Sequence, residues 1–138
     1  MTAPVFDSYR VIVSGSRHCW DTTPIDVELD RMNGERKITC IIHGDAPGVD
    51  RAADKWARRH GIPTRAYPAD WIQSGRAAGP LRNQEMIDEG KADYWVAFPT
   101  QASKGTWDFI RRAKTADLPG HIIYLDAQTS DTSAGEQP

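Results

Sequence analysis

The sequence predicts an α/β protein, a Rossmann-like three-layer sandwich built on a mainly parallel five-stranded sheet. Two observations carry this. Short apolar, β-branched runs alternate with helical patterns along the whole chain, the spacing of a doubly wound sheet with right-handed crossovers. The runs are also near-continuously apolar rather than alternating, as strands buried on both faces are. A chain of 138 residues is long enough for one such domain with a real core and too short for two.

The elements follow in order. The strand runs are "YRVIVSG", "KITCIIHG", "IPTRAYP", "DYWVAFP" and "GHIIYLD". A helix is expected over residues 24–33, where Thr22-Thr23 supplies an N-cap and Pro24 an early-helix proline. A second helix over 47–60 puts Val49, Ala52, Ala53, Trp56 and Ala57 on one face and closes at Gly61. A third over 80–89 turns Leu81, Met86 and Ile87 inward and ends at Gly90. A fourth over 105–116 carries Phe109, Ile110 and Ala113 and stops before Pro119. The expected strand order is 3-2-1-4-5, with the switch point between strands 1 and 4. Residues 68–79, "PADWIQSGRAAG", form a connection long enough to suggest a functional segment. Residues 1–8 read as an N-terminal extension, 9–125 as the folded domain, and 126–138, poor in large apolar side chains, as a disordered tail.

Composition narrows the function classes. Hydrophobic residues make up 39% and charged residues 26%, with a net charge of −2. That balance argues against a general nucleic-acid binder, so an anionic ligand must be met by local cations. Two cysteines, Cys19 and Cys40, give no disulfide framework. With no signal peptide at "MTAPVFDSYR" and no membrane-length apolar run, a cytoplasmic protein with reduced thiols is expected. His18, Cys19, Cys40 and His43 match no zinc spacing, and neither a metal nor a cofactor is called for.

In open α/β sheets ligands bind at the carboxyl ends of the strands. Four segments arrive there: "SGSRHCW", "HGDAPGVD", "GRAAGPLRN" and "PTQASKGT". In the first, Gly15 allows close backbone approach, Ser16 offers a hydroxyl, and Arg17 can fork onto a phosphate. In the second, Gly44 and Gly48 bracket a turn into a helix start, which attracts anions. Asp45 fits a helix N-cap and Asp50 a first-turn acid, yet both also suit ribose hydroxyls. In the third, Gly79 opens a helix whose first turn holds Arg82 and Asn83. A cation there opposes the helix dipole unless it faces an anion. Arg76 is a further candidate that suits a solvated role equally well. In the fourth, Lys104, Gly105 and Thr106 form a helix start carrying donors, and Asp108 is either a dipole partner or a reactive carboxylate. Of five tryptophans, Trp56 and Trp95 read as core. Trp20, Trp71 and Trp107 lie near the mouth, where they can stack on a base or pack against protein.

The segments "VIVSGSR", "IIHGDAPGVDRAADKWA", "PADW…GRAAGPLRN" and "KGTWDFIRRA", in this order over residues 9–125, resemble the SLOG superfamily. That group joins the Smf/DprA proteins with the LONELY GUY (LOG) phosphoribohydrolases, and the nearest branch is the small YspA/YpsA-related one of bacteria and phages. The resemblance implies a Rossmann-like domain that binds a nucleotide or nucleotide-derived ligand. In LOG enzymes a nucleoside 5′-monophosphate loses its base by N-glycosidic hydrolysis, through an arginine and a glutamate near a P-G-G-x-G-T-x-E-E motif. Arg82 matches the arginine-bearing segment, and Gly105 and Thr106 match the G-T, which makes Arg82 and Asp108 the catalytic candidates. The tandem glycines are absent, "PTQASK" is longer, and Phe109 stands at the second acidic position. Three functions are thereby carried forward. The first is a nucleotide-binding domain that senses or sequesters its ligand. The others are an N-glycosidic hydrolase and, against the net charge, a DprA-like single-strand DNA binder. A homodimer is the family's expectation.

Overall fold

A computed structural model describes residues 8–125. The expected tail over 126–138 and nearly all of the N-terminal extension lie outside the described residues. Five strands form one sheet in the order β3-β2-β1-β4-β5. They are β1 (Arg10–Gly15), β2 (Cys40–His43), β3 (Thr64–Ala66), β4 (Tyr94–Phe98) and β5 (Gly120–Ile122). Every pairing is parallel, so the sheet is wholly rather than mainly so. The strand order and the switch between β1 and β4 match the sequence expectation. The central register aligns Val11 with Tyr94 and Gly15 with Phe98, which brings the ends of β1 and β4 level.

Side chains alternate across the sheet and build two cores. Val11 and Val13 of β1 point toward α1 (Thr23–Glu35) and α2 (Val49–Arg59), where Ile25, Leu29, Ala53 and Trp56 complete one core. Ile12 points the other way and joins Met86, Trp95, Phe109 and Ile110, carried by α4 (Ala78–Glu89), β4 and α5 (Lys104–Thr115). This is the three-layer sandwich. Trp56 and Trp95 are both fully buried, and each indole is anchored, Trp56 Nε1 donating to Asp30 and Trp95 Nε1 to the Leu118 carbonyl. Burial on both faces holds for β1, β2 and β4, whereas the edge strands β3 and β5 are only partly covered. At the start of α1, Thr22 occupies the N-cap position without a side-chain cap bond, and the Asp21 carboxylate takes the Thr23 amide instead.

Two expectations are corrected. The connection over 68–79 is mostly helical: α3 (Trp71–Ser74), capped by Asp70, runs into a 3-10 turn (Gly75–Ala77), which feeds α4 directly. α4 therefore begins at Ala78, and Arg82 lies beyond its first turn. The dipole conflict read into Arg82 from the sequence does not arise. Helical spacing fixes which face is buried. Gly79, Asn83 and Met86 form the inward stripe at helical spacing. Leu81 is consequently turned outward and is 58% exposed. A polar asparagine occupies the core-facing position that the apolar pattern assigned to leucine.

The loop after β1 and the turn after β2 lock together. The Val49 amide donates to the Ser16 carbonyl at 3.1 Å, and the Ser16 amide to Phe98 at 3.0 Å. Between them Gly48 adopts φ +80, and a Cβ there falls 2.3 Å from the Ser16 carbonyl oxygen. Gly48→Ala combines a left-handed φ with that clash. It is expected to lower stability by on the order of 2–4 kcal/mol, measured by urea unfolding at neutral pH.

Candidate functional site

The turn after β2 already holds an anion. Asp50, the second residue of α2, reaches back so that its Oδ2 accepts the amides of Gly44 at 3.1 Å and Ala46 at 3.2 Å. These amides have the geometry that an α/β protein commonly offers to a phosphate. Here a carboxylate of the chain fills it. At the start of α2 the Val49 amide is committed as well, to the Ser16 carbonyl. The sequence reading of this turn as an anion cradle is thus corrected: it is built, but its occupant is internal. Asp45 is not the α2 N-cap either. That position belongs to Gly48, while Asp45 sits at φ 56 with its carboxylate 3.7 Å from Arg51.

Asp50 is 4% exposed, and its Oδ1 has no hydrogen-bond partner. Burial pushes its carboxyl up to about 6, against the opposing pull of Arg82, the two amides and His43. His43 beneath the turn is held in one tautomer. Its Nδ1 accepts the Asp45 amide, so Nε2 carries the proton and donates to Asp54 at 2.9 Å.

Arg82 lies against the same turn. Its Nη1 donates to the Gly44 carbonyl and its Nε to the Asn83 amide oxygen. A Cβ on Gly44 would fall 2.0 Å from Nη1, so a side chain there requires the Arg82 guanidinium to shift from its present slot. Burial lowers the Arg82 pKa, Asp50 opposes that, and Arg17 adds to it. Asn83 carries the network onward, donating to the Gly105 carbonyl and to Asp108 Oδ2, both at 3.0 Å. Asp108 also accepts from Arg111 and from Arg112, the latter at 2.8 Å. Burial raises its carboxyl, but the bonds from Arg112 and Asn83 and the charges of both arginines outweigh it and hold Asp108 low. Asp108 is therefore a fixed anion that can face a positive charge. It is poorly suited to deliver a proton.

These residues open onto a cleft of about 540 Å³ at the carboxyl ends of β1 and β4. Of the candidates from the sequence, Gly15, Ser16, Arg17, Asp50, Gly79, Arg82, Asn83, Lys104, Gly105, Thr106 and Asp108 line it. Gly44 and Asp45 line a smaller adjoining chamber of about 280 Å³ instead. Gly48 faces neither, being packed under Ser16 and Arg17. Arg76 joins the cleft wall, as does Trp71, which is half-exposed with Arg17 5.9 Å from its ring centre. Trp20 lines neither chamber, and Trp107 donates its indole N–H to the Thr100 carbonyl as a structural brace. Ser14, His18, Thr100 and Ser103 also line the cleft, and the sequence reading gave none of them a role at the site. His18, in the loop after β1, donates its amide to Ser16 Oγ, and Ser103 bonds Thr100 to shape the loop before α5. Both lie inside segments the sequence had placed at the site, but a small polar residue in a loop gives no signal of direction. Among the described residues no group of three His, Cys, Asp or Glu side chains is arranged to hold a metal, and Cys19 and Cys40 are buried thiols. No helix among them is long and apolar enough to cross a membrane.

The raised Asp50 carboxyl has a stability consequence of definite sign. The folded state holds this proton more tightly than the unfolded chain, so the group's contribution worsens as pH rises through about 4 to 6. The full loss is about 3 kcal/mol. Asp50→Asn keeps an oxygen for the two amides and removes the charge. It is expected to match the wild type near pH 4 and to exceed its stability by about 1–3 kcal/mol at pH 8, read from urea unfolding at both pH values. Equal pH dependence in the two proteins is the contrary result.

The chain is 38% identical over 116 residues to the Gene 61 protein of Mycobacterium phage D29, an alignment covering 80% of this chain and 92% of that protein. Residues 9–73, from the start of β1 through the turn held by Asp50 to α3, match the model of the YspA, cpYpsA-related SLOG family. With the parallel sheet in the order 3-2-1-4-5 and the cleft at its switch point, the chain belongs to the YspA, cpYpsA-related SLOG family.

Proposed function

We propose that the protein binds a nucleotide or nucleotide-derived ligand in this cleft, as a sensing or sequestering domain. One observation carries the reading: the cleft concentrates positive charge in a chain whose net charge is −2. Arg17, Arg76, Arg82 and Lys104 line it against Asp50 and Asp108, and Asp108 is already matched by Arg111 and Arg112. The local surplus suits phosphate. The half-exposed Trp71 face suits a base. Membership of the family supports a nucleotide-related role in general terms.

A second reading, N-glycosidic hydrolysis, draws on one feature of Asp50. A buried carboxyl near 6 with a free oxygen can exchange a proton near neutral pH, which Asp108 cannot. In that reaction Arg82 would hold phosphate, and Asp108, as a fixed carboxylate, would stabilise positive charge at the sugar.

Thermal-shift measurements with AMP, ADP-ribose, NAD and cyclic nucleotides test binding. At a ligand concentration of about 100 Kd the expected stabilisation is about 2.7 kcal/mol, a shift of several degrees. Arg17→Ala removes an exposed side chain whose one described contact is the Trp71 ring, so it is expected to abolish the shift without lowering the Tm of the free protein. No stabilisation by any phosphate-bearing ligand defeats the binding reading. Chromatography of the same mixtures separates the alternatives: released base that disappears in Asp50→Asn favours the hydrolase, and intact nucleotide favours the sensor.

A further inference from the structure

The two chambers of the cleft meet at a pair of arginines. Arg17 and Arg82 line both the larger and the smaller chamber, as do Ala46 and Trp71. Neither guanidinium has an ion-pair partner among the described residues. Arg82 bonds two neutral oxygens, of Gly44 and Asn83, and Arg17 lies beside the Trp71 ring. The two charges repel each other across this neck, and the repulsion adds to the burial that lowers the Arg82 pKa. Asp50 and Asp45 pull against that lowering, and an anion placed between the two guanidiniums adds to their effect.

The position of the pair decides what kind of anion fits. Beyond the neck on one side lie Lys104, Ser103 and Thr106, in the larger chamber. On the other lie Asp45, Pro47, Arg51 and Ala69, in the smaller one. A monophosphate seated at the neck carries an organic group on one side only and leaves the other chamber to water. A phosphate in the interior of a ligand carries a group into each. A pyrophosphate diester and a terminal monophosphate both bring about two negative charges near neutral pH, so the two chambers, and not the charge, make the distinction.

We propose that the ligand is two-ended, with a nucleoside and a second sugar or nucleoside joined through a phosphate or pyrophosphate linkage seated between Arg17 and Arg82, one moiety in each chamber. This rests on the cleft reading above and specifies its substrate class.

Isothermal titration of the full chain with AMP, ADP, ADP-ribose and NAD tests it. The two diesters are expected to bind at least about tenfold more tightly than AMP, about 1.4 kcal/mol. Ala69→Trp fills the smaller chamber from a residue that does not line the larger one, and Arg51→Glu places an anion in it. Either variant is expected to remove the diester advantage while leaving AMP affinity within about twofold. The exposed Arg51 site provides the measurement if the tryptophan variant does not fold. AMP binding as tightly as the diesters, or an advantage that survives in the variants, overturns the inference and leaves the cleft reading standing. Failure of every nucleotide in the series to bind overturns the cleft reading and the inference together.

Discussion

The Asp50 carboxylate, buried and bonded to the amides of Gly44 and Ala46, is the constraint on which the rest of the site depends. It fixes the turn after β2, and the turn fixes the slot for Arg82. An ionised carboxylate with one oxygen unpartnered costs several kcal/mol to bury without compensation. The two amides and the nearby Arg82 and His43 lower that penalty without removing it. Satisfying both oxygens would be simple for a purely structural turn. In this turn one oxygen is instead left buried and without a partner behind the cleft wall.

The second consequence is a division of labour among charges. A turn that spends the Gly44 and Ala46 amides on its own carboxylate does not offer them to an external anion, and the cations of the cleft come from other elements. Arg17 comes from the loop after β1, Arg82 from α4 and Lys104 from the start of α5. Asn83 ties two of these elements together through Gly105 and Asp108, and Asp108 is secured in turn by Arg112 within α5. The cleft is therefore assembled across the seam between α4 and α5. Its geometry is inherited from helix packing rather than from one phosphate loop.

This division also explains what could be read in the sequence. Strand order, parallel pairing and the two-sided core are legible because β-branched runs and helical periodicity record burial directly, as Val11, Ile12 and Val13 do. The site's neighbourhood is legible because the fold delivers the strand ends to one place. What escaped is direction. Asp50 reads as an ordinary first-turn acid, and only coordinates reveal that it turns back into its own loop. Leu81 faces outward because it lies about 140° around the helix from Met86, whereas Asn83 shares the stripe of Gly79 and Met86. The helical segment over Trp71–Ala77 escaped because serine, glycine and proline in "PADWIQSGRAAG" read as loop.

The contact between Gly44 and the Arg82 guanidinium couples two positions that lie 38 residues apart. Any side chain at 44 occupies the space that the arginine needs. A change at a backbone position with no functional group of its own thus moves the guanidinium out of the slot it now fills. In this chain residue 44 sets where the cation of residue 82 can lie. The two must be interpreted, and altered, as one unit.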